Sequence, residues 1–343
     1  MTILVTGATG YVGIRLVPAL LEQGHTVRAS ASSAEKLDSL WWGDRTENIG
    51  MDVGDDEQVR AGVVGVETVV YLIHGLDADD FVTKDREAAE RVARYAREAG
   101  VSRVVYLSGI VPDVPREDLS DHIRSRLEVE EALAATGIPT VSLRAAVLLG
   151  SGSTSFEIIR QISERLPVQT IPTWMHSEIQ PIAVVDAVAA LVGAVSWDGS
   201  RSFDIGGPDR MPYPELLSTY ADITELPRPQ IPLPLVPEGA VGAIAARLTD
   251  VPTDTVEALI DSLKHDMVAS DDDFVRELLP AGHRLLGLEE SIRRALADKD
   301  PSADPATADP MGPLPQDPDW AEGGSGIVSR ITGAIDAFGK RLS

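Results

Sequence analysis

The feature that most constrains this chain is a glycine loop, Thr6-Gly7-Ala8-Thr9-Gly10-Tyr11-Val12-Gly13, set between the apolar run Ile3-Leu4-Val5 and a helical pattern. Each glycine answers a different steric demand. Gly7 allows a sharp turn out of the strand, Gly10 lets the backbone approach a phosphate, and Gly13 lets the helix pack close to the sheet. The helix, Tyr11 to Gln23, puts Val12, Leu16, Ala19 and Leu20 on one face and stops at Gly24. Its free N–H groups and positive dipole end suit an anion. Strand, loop and helix in this order point to a bound dinucleotide, NAD(H) or NADP(H). A glycine-rich turn in a sheet protein that has lost its ligand would look the same locally, so the wider pattern matters.

That pattern is regular. Strands are expected at His25 to Ala29, Asn48 to Val53, Val66 to Ile73, Arg103 to Ser108 and Thr140 to Arg144, with helices at Asp79 to Ala99 and Leu119 to Thr136. Alternation of this kind predicts an α/β fold, a doubly wound parallel sheet of the Rossmann type. Residues 1–150 would form the dinucleotide-binding domain, completed by 179–206, which holds a helix at Asp186 to Val195 and the strand-like Phe203-Asp204-Ile205. Residues 151–178 and 207–297 would form a small, mostly helical, substrate-side subdomain, crossed by a proline-dense irregular segment at 226–238. Residues 298–325 carry seven acidic residues against one lysine, with repeated Asp-Pro pairs, and predict a disordered acidic linker. Over 326–343, Ile327, Ile331, Ile335, Phe338 and Leu342 form the stripe of an amphipathic helix flanked by Arg330, Lys340 and Arg341.

Composition excludes several functions. A net charge of −24 argues against nucleic acid as a partner. With no cysteine, there is no disulfide, thiolate metal site or cysteine nucleophile. The six histidines form no HxxH or HExxH pair, so no histidine-built metal site is expected. No apolar run is long enough to span a bilayer, and the first one reads as a strand rather than a leader, which predicts a cytoplasmic protein. The terminal helix could dock on its own chain, on a protein partner or on a membrane surface; its narrow apolar face in an acidic chain favours the first two. Oligomeric state is left open.

The choice between cofactors is usually made just after the second strand. Here Arg28, Ser30, Ser32, Ser33 and Lys36 precede or surround the first acid, Glu35, which favours NADP(H) over NAD(H). A solvated edge-strand role for Arg28 is the alternative. Asp52 and Val53 close the third strand, where an adenine ring would lie.

Six stretches together resemble the short-chain dehydrogenase/reductase (SDR) superfamily, in its atypical NmrA-like or YbjT-like branch. They are VTGATGYVG (5–13), DREAAERVARYAREAGVSRVVYLSG (85–109), HIRSRLEVEEALAATGIP (122–139), LRAAVLLGSGSTSFEIIRQISERLP (143–167), IQPIAVVDAV (179–188) and FDIGGPDRMPYPELL (203–217). That branch is related to the nucleotide-binding accessory subunit of respiratory complex I. The resemblance covers about residues 1–297 and implies an NAD(P)-binding fold whose C-terminal subdomain closes over a substrate crevice. It implies no particular reaction.

The chain departs from the superfamily at its chemistry. The usual mechanism needs a tyrosine with a lysine four residues later, yet no lysine lies between Lys84 and Lys264. His122-Ile-Arg-Ser-Arg126 stands there instead, with Ser108 at the end of the fifth strand. Arg126 would lower the pKa of His122, leaving an imidazole able to deliver a proton near neutrality. The pair could equally be an exposed one beside Asp121 and Glu130. After the fourth strand, Leu72 and His74 could line the nicotinamide pocket, or His74 could cap the strand. Trp174, His176 and Gln180 are soft pointers to a pocket wall.

Three functional readings follow. The first is an NADP(H)-preferring oxidoreductase of a small hydrophobic carbonyl or quinone, with the His-xxx-Arg pair in place of Tyr-xxx-Lys. The second is a non-catalytic redox sensor or accessory subunit. A sugar-nucleotide epimerase is weaker, because that chemistry also relies on the tyrosinate.

Overall fold

The computed structural model describes residues 1–75, 80–233, 238–300 and 302–322. The expected terminal helix over 326–343 lies outside them. Seven parallel strands form the central sheet: β1 (Thr2–Thr6), β2 (Thr26–Ala31), β3 (Glu47–Gly50), β4 (Thr68–Tyr71), β5 (Arg103–Gly109), β6 (Thr140–Ala145) and β7 (Arg201–Ile205). Their order is β7-β6-β5-β4-β1-β2-β3. The chain winds outward from β1 to β3, then crosses to β4 and winds outward the other way. The crevice at the carboxyl ends of β1 and β4 is therefore the switch point at which such sheets bind ligands.

Both faces are covered, as expected from the alternation of strands and helices. Helix α1 (Gly13–Glu22) packs on one face, together with the later helix Val184–Ala194, over Val5, Leu16, Leu20, Val27 and Phe203. Helices α2 (Asp56–Gly62), α3 (Phe81–Glu98) and α4 (Asp121–Ala134) cover the other, over Leu4, Val69, Tyr71, Val92 and Tyr106. Ser120 caps α4 by accepting the Ile123 N–H at 3.4 Å.

Beyond β6, helices α5 (Thr154–Arg165) and α6 (Tyr213–Ile223) build a separate apolar cluster around Phe156, Ile159, Leu216 and Tyr220, and helices α7 (Glu238–Leu248) and α8 (Thr253–Asp261) join α5 in another around Ile158, Ala245, Val256 and Ile260. The proline-dense segment is not wholly irregular. Gln230–Leu233 pairs in parallel with Gln169–Pro172, and a proline is tolerated because this is an edge.

Residues 302–322 correct the expectation of a disordered linker over 298–325. They form a strap of turns across α1. Asp300, Asp304 and Asp309 each accept the backbone N–H two residues ahead, at 2.9, 2.9 and 3.0 Å. Met311 is fully buried in the main core, and Asp309 takes a two-pronged contact from Arg294 at 2.7 and 2.8 Å. The acids that suggested a solvated linker are partners for specific donors.

Candidate functional site: a cofactor cleft at the switch point

The glycine loop is held by its neighbours on both sides. Thr6 Oγ1 accepts the Leu72 N–H at 3.1 Å and donates to Val70 O at 3.4 Å, which ties the end of β1 to β4. Ala8 N–H donates to Ser30 O at 3.0 Å, which ties the loop to β2. Gly7 has φ +67°, and the Gly10 N–H closes the turn on Gly7 O at 2.9 Å. Gly13 begins α1, and a Cβ there would sit 2.6 Å from Gly7 O and 2.7 Å from Ala8. Thr9 and Gly10 are exposed at the tip. Val12 stands at the N-cap of α1 without a side-chain cap; the Ile14 and Arg15 N–H groups turn back to Gly10 O and Val12 O at 3.0 and 3.1 Å, so the helix offers an anion its dipole end together with the N–H groups of the loop before it.

A cleft of about 390 Å³ opens beside this loop. Gly7, Gly10, Tyr11, Val12 and Gly13 line it from the loop, Leu72 and His74 from the end of β4, and Ser108 from the end of β5. His122 and Arg126 reach it from α4, one helical turn apart. Residues separated by more than a hundred positions thus meet at one place. The alternative of an exposed pair is not what the fold produces, since Asp121 turns to Arg124 at 2.6 Å and Glu130 to Arg144 at 2.7 Å. Asp85 braces this corner: its carboxylate accepts Ser125 Oγ at 3.0 Å and the Gly75 N–H at 2.9 Å.

The cleft is rich in unmet polar groups. Tyr11 Oη, Ser108 Oγ, His122 Nδ1 and Arg126 Nε are all buried without a hydrogen-bond partner. Arg126 Nη1 donates to Leu107 O at 3.1 Å, which fixes the cation at the cleft wall. The His74 and His122 rings stand 6.1 Å apart. Burial first, and the Arg126 charge second, lower the His122 pKa to about 3. His74 is held well below the usual histidine range, by burial and then by Arg126 and His122. The expectation of a proton-delivering imidazolium near neutrality is therefore corrected: His122 is a neutral ring.

This has a measurable consequence for stability. The unfolded chain protonates its histidines below about 6.5, whereas folded His122 stays neutral down to about 3. Its contribution is complete above the unfolded value and is lost as pH falls through this window. Urea midpoints for His122→Asn are expected to decline less steeply than wild type between these limits. Parallel curves would contradict a buried, neutral His122.

Other expected positions fall elsewhere. Arg28 points away from the cleft: its Nη1 donates to Gly62 O at 2.8 Å and Val64 O at 2.7 Å, and its Nε meets Glu47 at 2.9 Å. β2 runs to Ala31, so Arg28 sits within the strand rather than after it. A 2′-phosphate role for Arg28 is corrected on that ground. Ser32 does follow β2 and is exposed, with Lys36 Nζ donating to its hydroxyl at 3.2 Å. Asp52 Oδ1 accepts the Gly54 N–H at 2.7 Å in a turn beyond β3, and the Val53 carbonyl accepts from Arg91 at 3.0 Å. Trp174 packs among the C-terminal helices, His176 is exposed, and Gln180 joins Gly207 to Ala269 at 2.8 and 3.0 Å. None of these three lines the cleft.

The sequence reading missed the strap and its anchor. Arg15 on α1 is buried beneath the strap and stacks on the Tyr11 ring at 4.1 Å. Its guanidinium donates to Tyr11 O, Pro310 O and Ser151 O at 3.1, 2.8 and 3.0 Å, and grips both Asp317 oxygens at 2.9 and 3.1 Å. Pro318 and Trp320, just beyond, complete the wall of the cleft. The helix-like spacing of Arg15 gave no sign of this partner, and only the DPDW run hinted that the segment was more than a linker.

The comparisons with known proteins agree with this geometry. The family profile described as NAD(P)H-binding matches residues 7–174, the span from the glycine loop to the first C-terminal helix and strand. Over these residues, just under half of the chain, the sequence carries the pattern of the NAD(P)H-binding family. It is 28% identical over 246 residues to subunit 9 of the NADH dehydrogenase [ubiquinone] 1 alpha subcomplex, mitochondrial, from Arabidopsis thaliana, covering 67% of this chain and 60% of that one. It is 27% identical over 193 residues to a ceramide reductase from Caulobacter vibrioides, covering 55% of this chain and 59% of that one. The chain thus spans about three fifths of these relatives. The fold is shared with an NADPH-dependent quinone oxidoreductase from Escherichia coli, at TM-score 0.68 and 19% identity over 85% of this chain and 98% of that one. No described helix is long and apolar enough to cross a membrane.

Proposed function

We propose that this SDR protein is an NADP(H)-preferring reductase of small hydrophobic carbonyls or quinones, with Ser108, His122 and Arg126 replacing the Tyr-Lys pair. The observation that carries the reading is the set of orphaned polar atoms. All three residues line the cleft; His122 Nδ1 is buried without a partner, and Ser108 and Arg126 lie against the buried Tyr106 hydroxyl without a well-formed hydrogen bond at Ser108 Oγ or Arg126 Nε. Buried polar groups are rarely left unsatisfied, and a site that leaves several together is built for a ligand. The glycine loop and the start of α1 would hold the pyrophosphate, and Ser32 with Lys36 would face a 2′-phosphate.

NADPH bound there would supply a hydride. The protein's part is to polarise the acceptor. The Ser108 hydroxyl can donate to a carbonyl oxygen, and a neutral His122 can do the same through a ring N–H. Arg126, a permanent cation in a partly buried wall, stabilises the negative charge that develops on that oxygen. Because His122 is neutral, the final proton comes from solvent rather than from an imidazolium. The rate is therefore expected to show no histidine inflection near neutral pH.

The names of two relatives, a ceramide reductase and a quinone oxidoreductase, support a reductase of apolar molecules. The absent tyrosine and lysine, with the likeness to a respiratory-chain subunit, support the non-catalytic reading instead. Following NADPH oxidation against a panel of quinones and ketones decides between them. Turnover that falls about a hundredfold or more in His122→Ala, with NADPH binding intact, is expected. Tight NADPH binding without oxidation of any panel member would favour the accessory role.

A further inference from the structure

Beyond His122, away from the glycine loop, lies a second chamber of about 60 Å³ whose wall includes Gly109, His122, Ile158, Tyr213, Ile260 and Met267. It shares Gly109 and His122 with the cofactor cleft and so continues from the reacting end. On its far side is a third space of about 100 Å³ between α5, α6 and α7, bordered by Leu233 and Ile244. Ile158, Tyr213, Ile260 and Leu263 line both spaces, so only these side chains stand between them, and a neck passes there once their rotamers part. Among the described residues, no Asp, Glu, Lys or Arg lines either one.

The outer end is apolar too. Five large hydrophobic side chains are exposed among the described residues, and three of them gather here: Ile231 at 50%, Leu233 at 39% and Ile244 at 55%. Ile231 and Leu233 are two residues apart on the edge strand, hence on one side of it. Single exposed apolar residues are ordinary, but a cluster at the mouth of an apolar passage marks a binding route.

We infer that the substrate carries an unbranched apolar chain, which runs from His122 through the Ile158–Ile260 neck and emerges beside Leu233 and Ile244. This inference rests on the reading of the cleft as a reductase site. The shape selects a chain. Each space is too small for a fused ring system, and the neck of branched side chains passes only a narrow group. The polar, reducible end is then left at Ser108 and His122, where the unmet hydrogen-bonding groups are.

The test is calorimetric titration of the full chain, saturated with NADP⁺, with methyl ketones of four, eight and twelve carbons. Both partners are then oxidised, so binding is read without turnover. Affinity is expected to rise by up to about fourfold per methylene until the chain reaches the surface, then level off. Ile260→Phe should flatten the rise at the neck while NADP⁺ binding persists, and Ile244→Glu, at an exposed position, should weaken only the longest ketone. Affinity independent of chain length, or unaffected by both variants, would overturn the inference. If Ile244→Glu instead only dissolves self-association in sedimentation, the apolar rim is a contact between copies and the inference fails. A chain-length effect with no NADPH oxidation by the three ketones or by any quinone of the panel would leave the tail route standing and remove the reductase reading.

Discussion

Gly13→Val is expected to weaken dinucleotide binding by about a hundredfold or more, because an ångström-scale misplacement of a binding group costs that much. The reason is local. The first side-chain carbon at this position would lie 2.6 Å from Gly7 O and 2.7 Å from both the Ala8 Cα and the Ala8 carbonyl oxygen. All three are backbone atoms, so no rotamer change relieves the contact. The loop must lift from α1, and the N–H groups that face the pyrophosphate move with it. Stability should fall too, by about 1–3 kcal/mol, as for other overpacked cores. Calorimetric titration with NADPH, alongside a thermal melt, separates the two effects. Unchanged affinity in a folded variant would mean the dinucleotide is not held by this loop.

Arg15→Ala is expected to cost about 3–5 kcal/mol of stability, the range for breaking a buried ion pair by removing one partner. The side chains of Arg15 and Asp317 are only 1% and 6% exposed. Without the guanidinium, the Asp317 carboxylate is left buried and the Tyr11, Ser151 and Pro310 carbonyls lose a donor. Asp317→Ala should cost less, since Arg15 keeps those carbonyls. The double variant should lose less than the sum of the two single losses, because the second removal no longer strands a charge. NADPH affinity should drop in each, since the strap carries Pro318 and Trp320 into the cleft wall. Urea unfolding of the four proteins measures the coupling. Strict additivity would show that the strap and α1 are not joined through this pair.

These two sites illustrate what can be read from a linear sequence. The glycine loop is a local object: the turn, the helix start and the close packing all fall within eight residues, and each glycine answers a nearby steric demand. The Arg15–Asp317 pair spans 302 positions and leaves no periodicity. Asp-rich, Pro-rich composition signals disorder because it cannot build a core alone, yet the strap needs no core of its own. It borrows one, placing Met311 into the main cluster and Asp317 beneath α1.

Arg28 shows a smaller failure of the same kind. Its type was suited to a 2′-phosphate, but strand parity and the true end of β2 at Ala31 decide where it points. Its pairing with Glu47 on the neighbouring strand was invisible until the register was known. His122 and Arg126 fared differently. Helical spacing put them on one face, and the imidazole is kept neutral by burial first and by the Arg126 charge second. Tertiary surroundings, rather than residue type, set the protonation state.

The central claim is that this cleft takes a phosphorylated dinucleotide and presents it to Ser108 and His122. Titrating the purified chain with NADPH and with NADH tests it most directly, with Lys36→Ala carried alongside. Both are expected to bind, NADPH about tenfold more tightly through a charge-assisted contact, and Lys36→Ala is expected to remove the difference without weakening NADH. Failure of either nucleotide to bind would contradict it.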